Sequence, residues 1–90
     1  MYRIFIAKEF DRCLEHVTSR DRENIEKKIS EYMAPQLKLE PHYGANIKKL
    51  KGYNPETWRY RIGHYRIFYL ISESEKVVQL ISIDQRKDAY

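Results

Sequence analysis

The stretch that decides the fold is residues 58–69, WRYRIGHYRIFY. Two alternating segments of aromatic, branched and basic residues are separated by Gly63-His64, which predicts a hairpin with a two-residue turn. In that register Arg61 lies directly opposite Arg66 on the neighbouring strand. The sequence thus places like charges side by side in its clearest hairpin, and this pairing needs an explanation.

The two faces of this hairpin differ in chemistry, because successive side chains of a strand point to opposite sides. One face is apolar and aromatic, and we expect it to pack against the rest of the protein. Its predicted members are Trp58, Tyr60, Ile62, Tyr65, Ile67, Tyr69 and Ile71. The other face is predicted to carry Arg59, Arg61, Arg66, Phe68 and Leu70.

The opposed arginines allow two interpretations. Like charges directly across a strand pair are unfavourable, by a few tenths of a kcal/mol to about 1 kcal/mol. Aspartate or glutamate from the helices or the C-terminal tail could compensate them. Alternatively the missing anion is a ligand, since two guanidinium groups on a rigid sheet form a preorganised, bidentate phosphate clamp. We favour the ligand, and the other interpretation stays open.

The size and composition of the chain predict one small soluble domain spanning residues 1–90. Ninety residues leave no room for a second domain, and 42% hydrophobic content is sufficient for a modest core. The single Cys13 excludes an intramolecular disulfide framework and fits a reducing compartment. The N-terminal apolar run is too short for a signal peptide, and no stretch is long enough to span a membrane. We therefore expect a cytoplasmic protein.

The positive charge of the chain is concentrated in one segment. Residues 47–69 carry six lysines and arginines against the single acidic residue Glu56, a net charge of +5. Residues 1–46 balance eight basic against eight acidic residues, and residues 70–90 have a net charge of −1. This concentration suggests a face that binds a polyanion, with a solvated basic surface as the alternative.

The segments around the hairpin predict an α+β fold. Tyr2–Ile6 is rich in β-forming residues, and helical spacing of apolar residues follows over residues 8–17. Thr18 and Ser19 offer an N-cap for a second helix, which Pro35 is expected to end. Three strands joined by hairpins follow a long connection over residues 34–56. The predicted order is strand-helix-helix-strand-strand-strand, with a helical hairpin packed on a mainly antiparallel four-stranded sheet.

The C-terminal half of the chain resembles a known family in its motifs. The run KKLKG…WRYRIGHYRIFY…VVQLISIDQRKDAY is similar to the RelE/ParE superfamily of bacterial and archaeal toxins. The shared pattern is a K-L-K/R-G turn, a basic strand, a G-x-Y-R-I/L-x-Y hairpin and a terminal h-x-R-K/R-x-x-Y. The resemblance covers nearly the whole chain and implies a single RelE-like toxin domain.

This resemblance implies an activity and partners. RelE-like members are endoribonucleases that cut mRNA, typically in the ribosomal A site, without a metal or another cofactor. The ribose 2′-OH attacks the adjacent phosphate, which needs proton transfer and stabilisation of a charged phosphorane. The expected partners are mRNA, the ribosome and a cognate antitoxin that holds the toxin in an inactive hetero-oligomer; no membrane is involved.

The resemblance also assigns roles to residues. Arg61 and Arg66 are expected to be catalytic, with Arg66 at the scissile phosphate. Arg86 would stabilise or protonate the leaving group, and Tyr90 would act in proton transfer or base stacking. The expected RNA-binding residues are Lys48, Lys49, Lys51, Arg59 and Phe68.

The chain departs from the family pattern at the position before the terminal arginine. Many relatives have histidine there, the side chain whose ordinary pKa suits acid–base catalysis, but this chain has Gln85. His64 is expected to be a turn residue and His42 a surface loop residue, so neither is a convincing substitute. The group that accepts the 2′-OH proton therefore stays open.

Two alternatives to the ribonuclease remain. A ParE-like protein has a similar fold and poisons DNA gyrase without cutting RNA, but members of that branch generally lack the full arginine set. A non-catalytic RelE-like module that only binds nucleic acid would explain the missing histidine. Mapping of mRNA after induction would separate these functions.

Overall fold

The computed structural model of the protein describes residues 1–85. Its helices all pack on one side of a single five-stranded sheet with the order β1-β5-β4-β3-β2. The elements are β1 (Arg3–Ile6), α1 (Lys8–Glu15), α2 (Ser19–Lys28), a π-helical turn (Ile29–Met33), α3 (Ala34–Leu39), β2 (Ile47–Lys49), β3 (Trp58–Ile62), β4 (Tyr65–Ser72) and β5 (Val77–Gln85). The predicted α+β class and mainly antiparallel sheet are confirmed, and β1 with β5 is the only parallel strand pair within residues 1–85.

The predicted four-stranded sheet is wrong by one strand. The long connection contains β2, a three-residue strand that pairs antiparallel with β3 so that Lys48 lies opposite Arg59. The pairing continues at both ends, where Arg61 donates its N–H to the Asn46 carbonyl at 3.0 Å and Leu50 donates to Thr57 at 2.9 Å. Three residues, two of them lysine, are too few to show the alternation by which strands are detected.

The predicted helix end at Pro35 is also wrong. The helical arm continues to Leu39, because the π-helical turn precedes the proline and Ala34 donates its N–H to the Ile29 carbonyl, five residues back. Pro35 then falls in the first turn of α3. A proline is tolerated there because its missing N–H would have had no helical acceptor. The predicted N-cap is confirmed, since the Thr18 hydroxyl accepts the Asp21 N–H at 3.2 Å.

The hairpin register and the separation of its faces are confirmed. Arg61 pairs with Arg66, and Ile62 pairs with Tyr65 across the turn. Burial alternates along β3 and from Arg66 to Leu70 in β4, where Ile67 is fully buried. The side chains of the inner face form the core together with those of the helices and β5. The buried core residues are Phe10, Leu14, Ile25, Met33, Leu37, Trp58, Tyr60, Ile62, Ile67, Tyr69, Val78, Leu80 and Ile83.

A cluster of ionisable side chains ties the loop after α3 to the β4–β5 turn. The two ring nitrogens of His42 face the carboxylates of Glu40, at 2.9 Å, and Glu73. The hydroxyl of Tyr2 donates to the second oxygen of Glu73 at 2.7 Å, and Trp58 meets the imidazole edge-on with centroids 5.3 Å apart. His42 is therefore a structural residue rather than an unengaged surface histidine.

The His42 cluster predicts a pH-dependent contribution to stability. Burial would lower the pKa of His42, but hydrogen bonds to Glu40 and Glu73 and their charges raise it above its ordinary value near 6.5. The cluster therefore stabilises the folded protein fully when the pH is below the ordinary pKa of histidine. This stabilisation is lost as the pH rises through the raised pKa of His42 in the folded state. The melting temperature of the unmodified protein should therefore exceed that of His42→Gln at about pH 6, and the difference should shrink toward about pH 9. A constant difference across that range would contradict this prediction.

Candidate nucleic-acid interface

The face of the sheet opposite the helices is basic in its β2–β4 part. We call this surface the arginine face and define it by Lys48, Arg59, Arg61, Arg66 and Phe68. No helix within residues 1–85 contributes a core residue on this side, since the buried apolar residues of the helices belong to the core on the inner face. The β-strands place these side chains on a rigid frame with neighbouring strands about 4.8 Å apart.

Strand register arranges the arginine face in two cross-strand rows. The first row consists of Lys48, Arg59 and Phe68 on three neighbouring strands, with Ser82 next to Phe68 on β5. Arg59 and Phe68 are half-buried, whereas Lys48 is exposed. This row therefore combines two cations with an aromatic ring, a composition suited to the backbone and bases of a single-stranded nucleic acid.

The second row, nearer the hairpin tip, contains the opposed arginines. Arg61 on β3 faces Arg66 on β4, and Arg66 in turn faces Asp84 on β5. The Arg66 guanidinium forms an ion pair with the Asp84 carboxylate at 3.0 Å. Arg61 is exposed and has no ion pair with any residue in the described part of the chain.

Asp84 corrects part of the interpretation based on the sequence. The repulsion between the arginines is partly offset inside the protein, by an acidic residue of the last strand. Asp84 is 60% exposed and Arg66 is 23% exposed, so an incoming anion can compete for the guanidinium. The sequence had a usable signal, because an antiparallel β4–β5 pair brings the end of β5 beside Arg66.

A family model describing the ParE toxin of type II toxin–antitoxin systems, parDE, matches residues 4–90. The chain belongs to this toxin family. A comparison with curated proteins gave no significant match.

Solved structures similar to the toxin come from RelE proteins. The RelE–RelB complex of Pyrococcus horikoshii has a TM-score of 0.70 at 23% identity and covers 98% of each chain. The RelBE2 complex of Mycobacterium tuberculosis has a TM-score of 0.71 at 19% identity, covering 94% of this chain and 98% of the other. The RelB–RelE complex of Methanococcus jannaschii reaches 27% identity with a TM-score of 0.65, covering 90% and 88%. The toxin therefore has the RelE fold.

The structure does not bring all the predicted RNA-binding lysines onto the arginine face. Lys49 pairs with Trp58 across β2 and β3 and thus points to the opposite side, where its ammonium lies 2.9 Å from the Glu56 carboxylate and over the Trp58 ring. Lys51 is exposed in the turn after β2. Only Lys48 joins the arginines directly.

The predicted catalytic residues Arg86 and Tyr90 lie outside the described residues. Gln85 ends β5 opposite Tyr65. None of the three histidines of the toxin lies on the arginine face. His16 caps α1, His42 belongs to the carboxylate cluster and His64 is exposed at the hairpin tip.

Two further properties concern residues 1–85 as a whole. No cluster of three or more histidine, cysteine, aspartate or glutamate side chains in this part of the chain has a geometry that could hold a metal ion. None of its helices combines the length and the hydropathy that crossing a bilayer requires.

Proposed function

We propose that the toxin is a metal-independent endoribonuclease that cleaves mRNA, in the cytoplasm and on the ribosome. The observation that supports this proposal is the row of Arg61 and Arg66 on a sheet face that no helix within residues 1–85 covers, flanked by the Lys48–Arg59–Phe68 row. Two arginines directly across a strand pair can hold two oxygens of one phosphate, and the neighbouring row can hold the adjoining nucleotide.

In the proposed reaction, the ribose 2′-oxygen attacks the adjacent phosphorus while a base removes its proton. The bond to the 5′-oxygen of the next nucleotide breaks, and that oxygen is protonated as it leaves. The products are a 2′,3′-cyclic phosphate and a 5′-hydroxyl. Arg61 and Arg66 stabilise the extra negative charge of the phosphorane, which is the step where preorganised donors contribute most. Following the family resemblance, Arg86 protonates or stabilises the leaving oxygen and Tyr90 assists in proton transfer or stacking.

A cognate antitoxin is the proposed regulatory partner. The solved relatives from Pyrococcus horikoshii and Methanococcus jannaschii were crystallised as complexes of RelE with RelB. A basic face on which no helix within residues 1–85 packs invites an acidic or amphipathic segment that would neutralise it and exclude RNA. The inactive form is then a hetero-oligomer of toxin and antitoxin.

The alternative function is inhibition of DNA gyrase. The observation in its favour is that the matching family model describes the ParE toxin. A third possibility, binding of RNA without cleavage, is favoured by the absence of a histidine from the arginine face. The same assay separates the three functions, because only the ribonuclease produces new RNA ends.

The direct test is a translation reaction programmed with a defined mRNA, to which the purified toxin is added. The ribonuclease predicts fragments with a 5′-hydroxyl and a cyclic phosphate, and their amount should fall when Arg61 is replaced by alanine. Arg20→Ala, which removes an exposed arginine of α2, is the matched control and should cleave like the unmodified toxin. Intact mRNA together with trapped gyrase–DNA complexes would favour the alternative.

Removal of the Asp84 carboxylate is expected to strengthen RNA binding. Asp84→Asn leaves the shape of the site unchanged but releases Arg66 from a competing partner. Because an exposed ion pair contributes up to about 1 kcal/mol, affinity for a short single-stranded RNA should rise by up to about fivefold. Fluorescence anisotropy measures this change. Glu75→Gln, the same charge change in the β4–β5 turn, is the control, and an equal rise in both variants would contradict a specific role for Asp84.

A further inference from the structure

A cleft of about 400 Å³ opens beside the outer edge of β3, where the arginine face meets the helical side of the sheet. It lies between this edge, the end of α2 and the π-helical turn. The residues that line the cleft include two cations and two aromatic rings, and no acidic side chain is among them. They are Lys28, Tyr32, Asn46, Tyr60, Arg61, Ile62 and Gly63.

The cleft exists because β2 is shorter than β3. The last hydrogen bond between the β2 segment and β3 is the one that the Arg61 N–H donates to the Asn46 carbonyl, at 3.0 Å. Asn46 has a φ of 72°, a left-handed conformation in which asparagine is enriched, and the chain turns away from the sheet there. Ile62 and Gly63 therefore border an opening rather than another strand.

The π-helical turn supplies the other wall. Tyr32 lies in this turn, and 63% of its surface is exposed although it is a large ring. Lys28, the last residue of α2, places a second cation beside the cleft in addition to Arg61. An exposed aromatic ring and two cations that line the same cleft offer a stacking surface together with partners for a phosphate.

Arg61 connects the cleft with the candidate catalytic row. It lines the cleft and also faces Arg66 across the β3–β4 pair. A polynucleotide whose phosphate lies between Arg61 and Arg66 can therefore pass its neighbouring nucleotide around the edge of β3 into the cleft. The amide of Asn46 lies at the same place, and amide groups pair with the edges of bases.

We propose that this cleft is a nucleotide subsite, which rests on the proposed ribonuclease function. It holds the nucleotide next to the scissile phosphate, with the base on Tyr32 and the phosphate between Lys28 and Arg61. A peptide that adds a strand to the free edge of β3 is an alternative occupant of the cleft, but it fits the observations less well. Strand addition needs a row of free backbone groups, and here the free edge ends within two residues of Arg61, at the turn.

The test is a titration of the ¹⁵N-labelled full chain, followed by NMR, with the four nucleoside 5′-monophosphates and with inorganic phosphate. The amides of Asn46, Arg61 and Gly63 should shift with at least one nucleotide at concentrations where phosphate causes no shift. Tyr32→Ala should weaken nucleotide binding by about fivefold to 150-fold, the range expected for loss of one stacking partner. Tyr53→Ala, which removes another exposed tyrosine, is the matched control.

Three outcomes would overturn the subsite. Equal shifts with inorganic phosphate would show a simple anion site, and unchanged nucleotide affinity in Tyr32→Ala would exclude stacking. Binding of an acidic peptide but of no nucleotide would identify a docking site for a protein partner. Lys28→Ala should weaken nucleotide and phosphate binding together. The proposed ribonuclease is tested separately: if the unmodified toxin cleaves mRNA and Tyr32→Ala cleaves at the same positions with the same efficiency, only the subsite fails.

Discussion

Replacement of Arg66 by alanine is expected to reduce mRNA cleavage by about 10²- to 10³-fold, the effect of removing one preorganised donor from a charged transition state. Arg66 lies between Arg61 and Asp84 in the second row of the arginine face. In the proposed function, this is the point where the scissile phosphate would meet two guanidinium groups. The measurement is the rate of appearance of fragments from a defined mRNA under single-turnover conditions.

Stability should change little in Arg66→Ala, because its ion pair with Asp84 is partly exposed and such pairs contribute about 0–1 kcal/mol. Arg66→Lys keeps the charge but loses the forked geometry, so it should restore only part of the activity. Arg20→Ala again serves as the matched control. Full cleavage by Arg66→Ala in the folded state would show that the arginine face is not the catalytic site.

Replacement of Ile67 by alanine is expected to lower the free energy of unfolding by about 2–5 kcal/mol. Ile67 is the next residue along β4, but its side chain points to the opposite face and is completely buried. It packs in the core that joins the sheet to the helices, so the smaller side chain leaves a cavity. Urea denaturation, monitored by far-ultraviolet circular dichroism, measures the loss.

Ile67→Val is the graded control and should cost about 0.5–1.5 kcal/mol. The folded fraction of Ile67→Ala should bind RNA as the unmodified toxin does, because the arginine face is unchanged. Two results would contradict the separation of the hairpin into a core face and an arginine face. One is a smaller loss of unfolding free energy in Ile67→Ala than in Ile67→Val, and the other is a loss of RNA binding in Ile67→Ala without a loss of stability.

The hairpin could be predicted from the sequence because its signals are local. Gly63-His64 determines the turn, the turn determines the register, and alternation then assigns each side chain to a face. The opposition of Arg61 and Arg66 follows from these rules alone. The first helix and the N-cap at Thr18 were predictable for the same reason.

Features that depend on distant parts of the chain could not be predicted in this way. β2 becomes a strand only because β3 offers it an edge, and its three residues carry no periodic signal. The helix passes Pro35 because a π-helical turn places that proline in a new first turn. His42 gains its role from Glu73, which lies 31 residues further along the chain.

The candidate site was predicted in its centre and missed at its borders. The arginines of the face followed from the hairpin. Asp84 was missed although the antiparallel β4–β5 pair offered a signal for it, and the cleft beside Arg61 required the complete sheet and the path of the helical arm. Lys49 was expected at the site together with Lys48 and Lys51, as part of the basic segment that leads into the hairpin. Adjacent residues of a strand point to opposite faces, which is why the structure separates Lys49 from Lys48.

The central proposal is that the arginine face cleaves mRNA. The most direct measurement is primer-extension mapping of a translated mRNA after induction of the unmodified toxin and of Arg66→Ala, each with and without a block on translation initiation. We expect new 5′ ends within the coding region for the unmodified toxin, and these ends should disappear in Arg66→Ala and when translation is blocked. Growth arrest by the unmodified toxin with intact mRNA would contradict the proposed ribonuclease.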